Sequence, residues 1–365
     1  MNKLVFANLL HRPLRSIISV FAVAIEVIMI LSIVGVFMGQ LNDQKDRVNG
    51  IGADLVVTPP NASFLASMSG SPLPAALAPF LAKLPHVAVS SPVIQKFDMS
   101  SGISILYGVD YASYNALKPF SFLAGGPPQG PYDAIVDDVF TRKGYHVGDT
   151  VQILNRSFKI SGVVESGRGG RTLIPITTMG ELIGSPSRAS VIYIKADDPS
   201  NIQTIIDEIH ATPGMSSYGV QTMESILSQY TPSHFPGFNL ALDVVTTIAV
   251  IVGFLVIFQT MYTAVLERTR EIGILKSMGA SKSAIVRVVI SETGVLAVAG
   301  LILGLVGTAG VHLLLGKLFP TFPFVLPTAW LGKGALIAFS GSLLGSLYPA
   351  WMAARKDPID ALAYE

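Results

Sequence analysis

The run from Ile17 to Met38 contains one charged side chain, Glu26, and this feature removes most soluble folds from consideration. An α-helix needs about 20 consecutive apolar residues to cross the hydrocarbon core of a bilayer. No convincing small-residue cleavage site follows the run, so 17–39 reads as an uncleaved first transmembrane helix rather than a signal peptide. Three further apolar stretches place spans at 241–266, 285–315 and 331–353. Half of the 365 residues are hydrophobic and only 13% are charged, as in a polytopic membrane protein and unlike a soluble enzyme of this size. A net charge of +1 gives no basic field for nucleic acid. The absence of cysteine excludes disulfides, thiolate metal sites and cysteine nucleophiles.

Charge asymmetry orients the spans. Lys3, Arg12 and Arg15 precede the first, and Arg355 and Lys356 follow the last. Arg268, Arg270, Lys276, Lys282 and Arg287 cluster between the second and third, against only Glu267, Glu271 and Glu292. Short loops rich in Lys and Arg stay on the cytoplasmic side, so both termini and the 267–284 segment are expected there. The 316–330 loop carries only Lys317 and is expected outside. Residues 1–16 read as an interfacial elbow helix with Val5, Phe6, Leu9 and Leu10 on one face. Residues 354–365 read as a cytoplasmic tail, in which Pro358 forces a turn back toward the same surface.

Between the first two spans, 40–240 has no stretch able to cross a bilayer and is rich in Pro and Gly. It reads as an extracytoplasmic α+β domain. Strands are predicted at Asp54–Thr58, Ile103–Val109, Thr150–Leu154, Phe158–Val164 and Ser190–Lys195, and helices at Leu73–Leu84, Thr177–Ile183 and Asn201–His210. Turn signals around Gly125–Pro131 and a hairpin-like unit at Val147–Glu165 suggest two subdomains, and Thr231–Gly237 reads as the linker back to the membrane. The paired Asp137 and Asp138 suit a helix cap, and Gly167-Arg168-Gly169-Gly170 reads as a mobile loop.

The most informative stretch is Leu266–Glu292. Glu267 to Met278 is helix-forming, with Ile272, Leu275 and Met278 on one stripe; Gly279 can end it, and Ser281 can cap the next helix. Glu267-Arg268-Thr269-Arg270-Glu271-Ile272-Gly273, followed by Lys276, Met278, Gly279 and Ala280, resembles the cytoplasmic signature of MacB/FtsX-type ABC transporter permeases. The closing Tyr348-Pro349-Ala350, Ala353-Ala354-Arg355 and Asp357-Pro358-Ile359-Asp360-Ala361-Leu362 are similar to that family's final motif. The resemblance implies a membrane subunit in the bacterial inner membrane, working as a homodimer with two copies of a separate ATPase chain that binds the ATP and Mg. Residues Glu267 to Gly273, Lys276, and Met278 to Ser281 would form the ATPase-coupling segment. Substrate would be exported or extracted from the outer leaflet or periplasm, with a periplasmic or outer-membrane protein as a further candidate partner. The alternative is a non-transporting mechanotransmission subunit that activates an extracytoplasmic partner such as a cell-wall hydrolase.

The sequence offers no catalytic chemistry of its own. It has no Walker A motif, since the Gly-Lys at Gly316-Lys317 has the wrong spacing and is followed by Leu318. The six histidines are scattered without metal-ligand spacing, and no cofactor site is expected on this chain. Glu26 and His312 are the ionisable groups plainly inside the spans. A carboxylate facing lipid is costly, so Glu26 is expected at an interface or cavity; with Met29 one turn on, it is a candidate substrate cleft. The competing reading is a structural hydrogen bond from Glu26 to Ser19, Thr246 or Thr247. Gly35 with Gly39, Gly300 with Gly304, and Gly341 with Gly345 permit close helix contacts.

Overall fold

The computed structural model describes residues 13–60, 73–98, 104–232, 238–319 and 322–357. The elbow expected before Pro13, most of the Thr231–Gly237 linker and the tail after Asp357 lie outside the described residues. The chain begins with α1 (Pro13–Asn49), β1 (Leu55–Thr58), β2 (Leu73–Pro74), α2 (Leu77–Leu81), β3 (Val87–Asp98), β4 (Ser104–Val109), α3 (Tyr111–Leu117), β5 (Phe122–Gly125) and β6 (Asp133–Asp137). There follow α4 (Asp138–Arg142), β7 (Thr150–Ile153), β8 (Arg156–Val164), β9 (Thr172–Pro175), α5 (Ile176–Leu182), β10 (Arg188–Ala189), β11 (Val191–Ala196), α6 (Ile202–Ala211), β12 (Gly219–Thr222) and α7 (Met223–Gln229). The chain closes with α8 (Phe238–Glu267), α9 (Thr269–Ser277), α10 (Lys282–Leu318) and α11 (Thr328–Arg355).

Two compact units divide the chain, one formed by residues up to Gln40 and from Phe235 onward, the other by Leu41–His234. In the first, α1, α8, α10 and α11 are each long and apolar enough to cross a membrane. Their core joins Val23, Val27 and Leu31 of α1 to Ile257 and Met261 of α8, Leu296 of α10 and Ala338 of α11. Glycines set the approach of the helices. A β-carbon on Gly300 or Gly304 would come within 2.6 Å of Val23 or Val27, and one on Gly345 within 2.8 Å of the Phe254 carbonyl. Gly35 and Gly39 instead receive the loop at Pro323 and Phe324, so this pair seats a connection rather than a helix. Helix α1 continues ten residues beyond 39, because Leu41 and Val48 repeat a buried face at helical spacing and Asp43 pairs with Arg47 one turn on.

The inserted unit is built on a sheet of ten strands in the order β12-β1-β11-β3-β4-β9-β6-β8-β5, with β7 also paired to β8. Most pairs are antiparallel; β4 with β9 and β6 with β8 are parallel. Two cores lie along this one sheet. Leu55, Val57, Ile192 and Ile194 pack with Ile205 and Ile209 of α6, while Val136, Phe158, Ile160 and Ile174 pack with Phe140 and Met179.

Three local expectations are corrected. Leu73–Leu84 is not one helix: Leu73 and Pro74 pair with Ala189 and Arg188 as strand, and only Leu77–Leu81 is helical. Pro74 and Pro79 have no N–H to give to a continuous helix there, which confines the helix to a short piece with Pro79 in its first turn. Asp137 occupies the N-cap position of α4 without capping it, because its carboxylate accepts from Arg171 at 2.9 Å. The second half of Gly167–Gly170 is packed rather than loose: Gly169 N–H donates to the Arg47 carbonyl at 2.9 Å, and a β-carbon on Gly169 or Gly170 would approach the Tyr107 ring to 2.6 Å.

Candidate functional site

The connector between α8 and α10 is the most organised polar region of the helical unit. Helix α8 runs into α9 with a break at Arg268 alone (φ −104°, ψ 15°), where the Arg268 N–H still reaches the Ala264 carbonyl of α8 at 3.2 Å and the Arg268 carbonyl accepts from Ile272 N–H of α9 at 2.9 Å. The far end is a Schellman stop: Ala280 N–H bonds the Leu275 carbonyl and Gly279 N–H the Lys276 carbonyl, both at 3.0 Å. Gly279 holds φ +96°, a conformation that favours glycine. Ser281 then caps α10, accepting from Ala284 N–H at 3.3 Å.

These turns sort the twelve expected coupling residues by direction. Ile272 joins Val265, Ile285, Val289, Ala350 and Ala353 in a core beneath the connector, with Ala280 partly buried against it. Thr269 and Gly273 are buried, and the Thr269 hydroxyl donates to the Leu266 carbonyl at 2.7 Å. Arg268 points inward and spans both carboxylate oxygens of Glu292, on α10, at 3.2 and 3.3 Å. Beside this pair is a cavity of about 70 Å³ lined by Met261, Val265, Ile272 and Val289. Glu267 pairs with Arg15 at the start of α1. Lys276 Nζ donates to the carbonyls of Ala354, at 3.0 Å, and Lys356, at the end of α11. The described part of the chain's end therefore meets the connector, as expected, while Pro358 to Ala361 lie outside the described residues.

The exposed face is Arg270, Glu271, Ile274, Ser277 and Met278, with Gly279 beyond it. Met278 is 71% exposed and does not continue the Ile272–Leu275 stripe, because the helix has already ended at Ser277 and Met278 is its C-cap. Ile274, 42% exposed, was not singled out by the sequence reading; its position one turn after Arg270 and one turn before Met278 was the available signal. Arg15 and Glu292 were also missed as partners, although a charge at the edge of an apolar run always invites the search for one.

Glu26 and Met29 differ in burial within the chain. Glu26 is buried, with its carboxyl against the positions where β-carbons on Gly253 and Gly341 would lie, whereas Met29 is 40% exposed. Neither Glu26 oxygen has a hydrogen-bond partner among the described residues, and Ser19 Oγ, also buried, does not supply one. The inserted unit has a separate charge cluster. Arg171 donates to Asp43 and Asp137, each at 2.9 Å, and Arg47 donates to Asp43 and Gln44. Next to it, Gln95 donates to the hydroxyls of buried Tyr107 and Tyr193, at 3.1 and 2.7 Å. Burial pushes the Tyr107 hydroxyl up to about 12, so it stays a neutral member of this network. Among the described residues no three His, Asp or Glu side chains come together as a metal site.

The profile of the MacB-like periplasmic core domain matches residues 16–212, and that of the FtsX-like permease C-terminal region matches 244–358. The ABC transporter permease YvrN of Bacillus subtilis is 24% identical, over 99% of this chain and 98% of its own length. The macrolide export ATP-binding/permease protein MacB of Rhodospirillum rubrum is 27% identical over 96% of this chain, which spans 58% of that relative. The crystal structure of the periplasmic region of MacB from Actinobacillus actinomycetemcomitans aligns with 50% of this chain and 94% of its own, at 18% identity and a TM-score of 0.39.

Proposed function

The chain belongs to the MacB/FtsX-type family of ABC transporter permeases, and from that premise we propose that it couples ATP hydrolysis on a separate ATPase chain to movement of its inserted domain. The connector is the cytoplasmic docking element in this reading, an orientation supported by its excess of Lys and Arg and by the basic residues after α11. Two copies of the chain and two ATPase subunits, which bind ATP and Mg, make up the working complex. Substrate is taken from the outer leaflet or the periplasm. The sequence supports a site for ATP outside this chain, since no P-loop motif occurs in it.

One observation carries the proposal. Helix α9 presents Arg270, Glu271, Ile274 and Met278 outward while its opposite face is fixed to the bundle by Arg268, Ile272 and Lys276. An amphipathic helix that keeps apolar anchors exposed one turn apart has the form that fits a groove on a partner. The test is co-purification with the ATPase chain. Charge reversal at Arg270 and Glu271, or truncation of Ile274 and Met278 to Ala, should weaken binding by about tenfold or more while membrane insertion is kept. Unchanged binding and unchanged stimulated hydrolysis in both variants would remove the docking role.

A further inference from the structure

We infer that Glu267, Arg268 and Lys276 are positioning residues that tie the connector to α1, α10 and α11, so that displacement of α9 moves the cytoplasmic ends of all four spans together. The inference rests on the coupling role proposed above. Helix α8 needs no side-chain tie, because it continues into α9 through Arg268. Besides the apolar packing of Ile272 on α10 and α11, each of the other spans meets one polar side chain at the connector: Glu267, where α8 ends, pairs with Arg15 of α1, Arg268 with Glu292 of α10, and Lys276 with the last carbonyls of α11. The chemistry differs among the three. Arg268 and Glu292 are both largely buried, so removing either strands a charge away from water, and this tie resists separation most strongly. Lys276 meets carbonyls that have no amide partner within their own helix and that carry the negative end of its dipole. Arg15 and Glu267 are more exposed, which makes the tie to α1 the weakest of the three. A connector that only set topology by charge would leave its basic side chains in solvent; here Arg268 and Lys276 are turned away from the docking face and onto other helices.

The chain has no cysteine, so spin labels can be placed cleanly. One pair, Ser277→Cys with Arg287→Cys, reads α9 against α10; a second, Ser277→Cys with Leu347→Cys, reads α9 against α11, and all three sites are exposed. In lipid nanodiscs both distance distributions should be narrow. Arg268→Ala should broaden the first, and Lys276→Met the second, by about twofold, with the other pair less affected. The exchange Arg268→Glu with Glu292→Arg should restore the narrow first distribution, a rescue that general damage to the fold does not give. With the ATPase chain bound, the response of a fluorophore at Lys317→Cys per ATP hydrolysed should fall about fivefold or more in Arg268→Ala and recover in the exchanged pair. Narrow distributions and an unchanged ratio in both single variants overturn the inference, as does an exchanged pair that inserts but stays broad. Should the parent chain fail to bind the ATPase, the coupling proposal is lost, yet the distances in the permease alone still decide whether the ties exist.

Discussion

Gly253 and Glu26 form the tightest side-chain arrangement in the helical unit, since any β-carbon on Gly253 would collide with the Glu26 carboxyl. Because that clash falls on the far end of a flexible side chain, Gly253→Ala should push the carboxyl aside and change stability by no more than about 1 kcal/mol, whereas Gly345→Ala, whose β-carbon meets the Phe254 backbone carbonyl at 2.8 Å, should cost about 1–3 kcal/mol through overpacking. Thermal unfolding of the two variants in nanodiscs makes the comparison, and equal losses would show that the Glu26 carboxyl has no room to yield. In the inserted unit, burial raises the Asp137 carboxyl pKa, and the neighbouring Arg171 only partly opposes it. The native state then holds this proton at a pH where the unfolded chain, near 3.8, has released it. Its contribution to stability accordingly falls as pH rises from that value through the raised native one, and is level above it. Asp137→Asn should remove this part of the slope, read as the difference between parent and variant in denaturant midpoints of the full chain across acidic to neutral pH. Identical slopes would mean that the group titrates alike in both states.

At the scale of elements, what was legible was what a local pattern encodes. The four apolar runs predicted the four long helices because a bilayer needs about 20 apolar residues per crossing; the ten residues by which α1 outruns its apolar stretch were not announced by it. The stop at Gly279 and the cap at Ser281 were equally readable, each being a single-residue conformational preference. Strand β3 was not: Ser90, Ser91 and Pro92 interrupt its apolar alternation, yet it pairs on both sides with β11 and β4, where its neighbours decide its state. The ties of the candidate site were hidden for a different reason. Arg15 meets Glu267 across 252 positions of sequence, and no periodicity reports such a partner. The readable turn still makes a prediction. Gly279→Ala forces a β-carbon into a left-handed conformation and should cost about 1–2 kcal/mol, and Ser281→Ala about 1 kcal/mol. Both should appear as faster amide exchange at Ala280 and Ala284, with exchange in the centres of α8 and α10 unchanged.

For the whole molecule, the inserted domain and the connector belong on opposite faces of the membrane if the four helices all cross it. Single cysteines in the cysteine-free chain test this. A membrane-impermeant maleimide applied to intact spheroplasts should label Lys143→Cys, on the exposed surface of the inserted unit, and leave Ser277→Cys unlabelled until the membrane is opened. Equal labelling of both before opening would refute the four-span topology. The division into an inserted domain and a bundle could be read from where apolar runs stop and mixed sequence begins, but the continuous ten-stranded sheet could not. Its pairings join strands as distant in sequence as β1 and β12, which no run of residues announces.

Because each tie of the connector reaches a different helix, the bundle is addressable one span at a time. Cutting the contact at Glu267, Arg268 or Lys276 removes the polar tie to α1, α10 or α11 respectively and leaves the other two ties, and the Ile272 core against α10 and α11, in place. Three single substitutions thus give an engineer three separate switches, and the span whose release stops the complex identifies the one that carries the stroke.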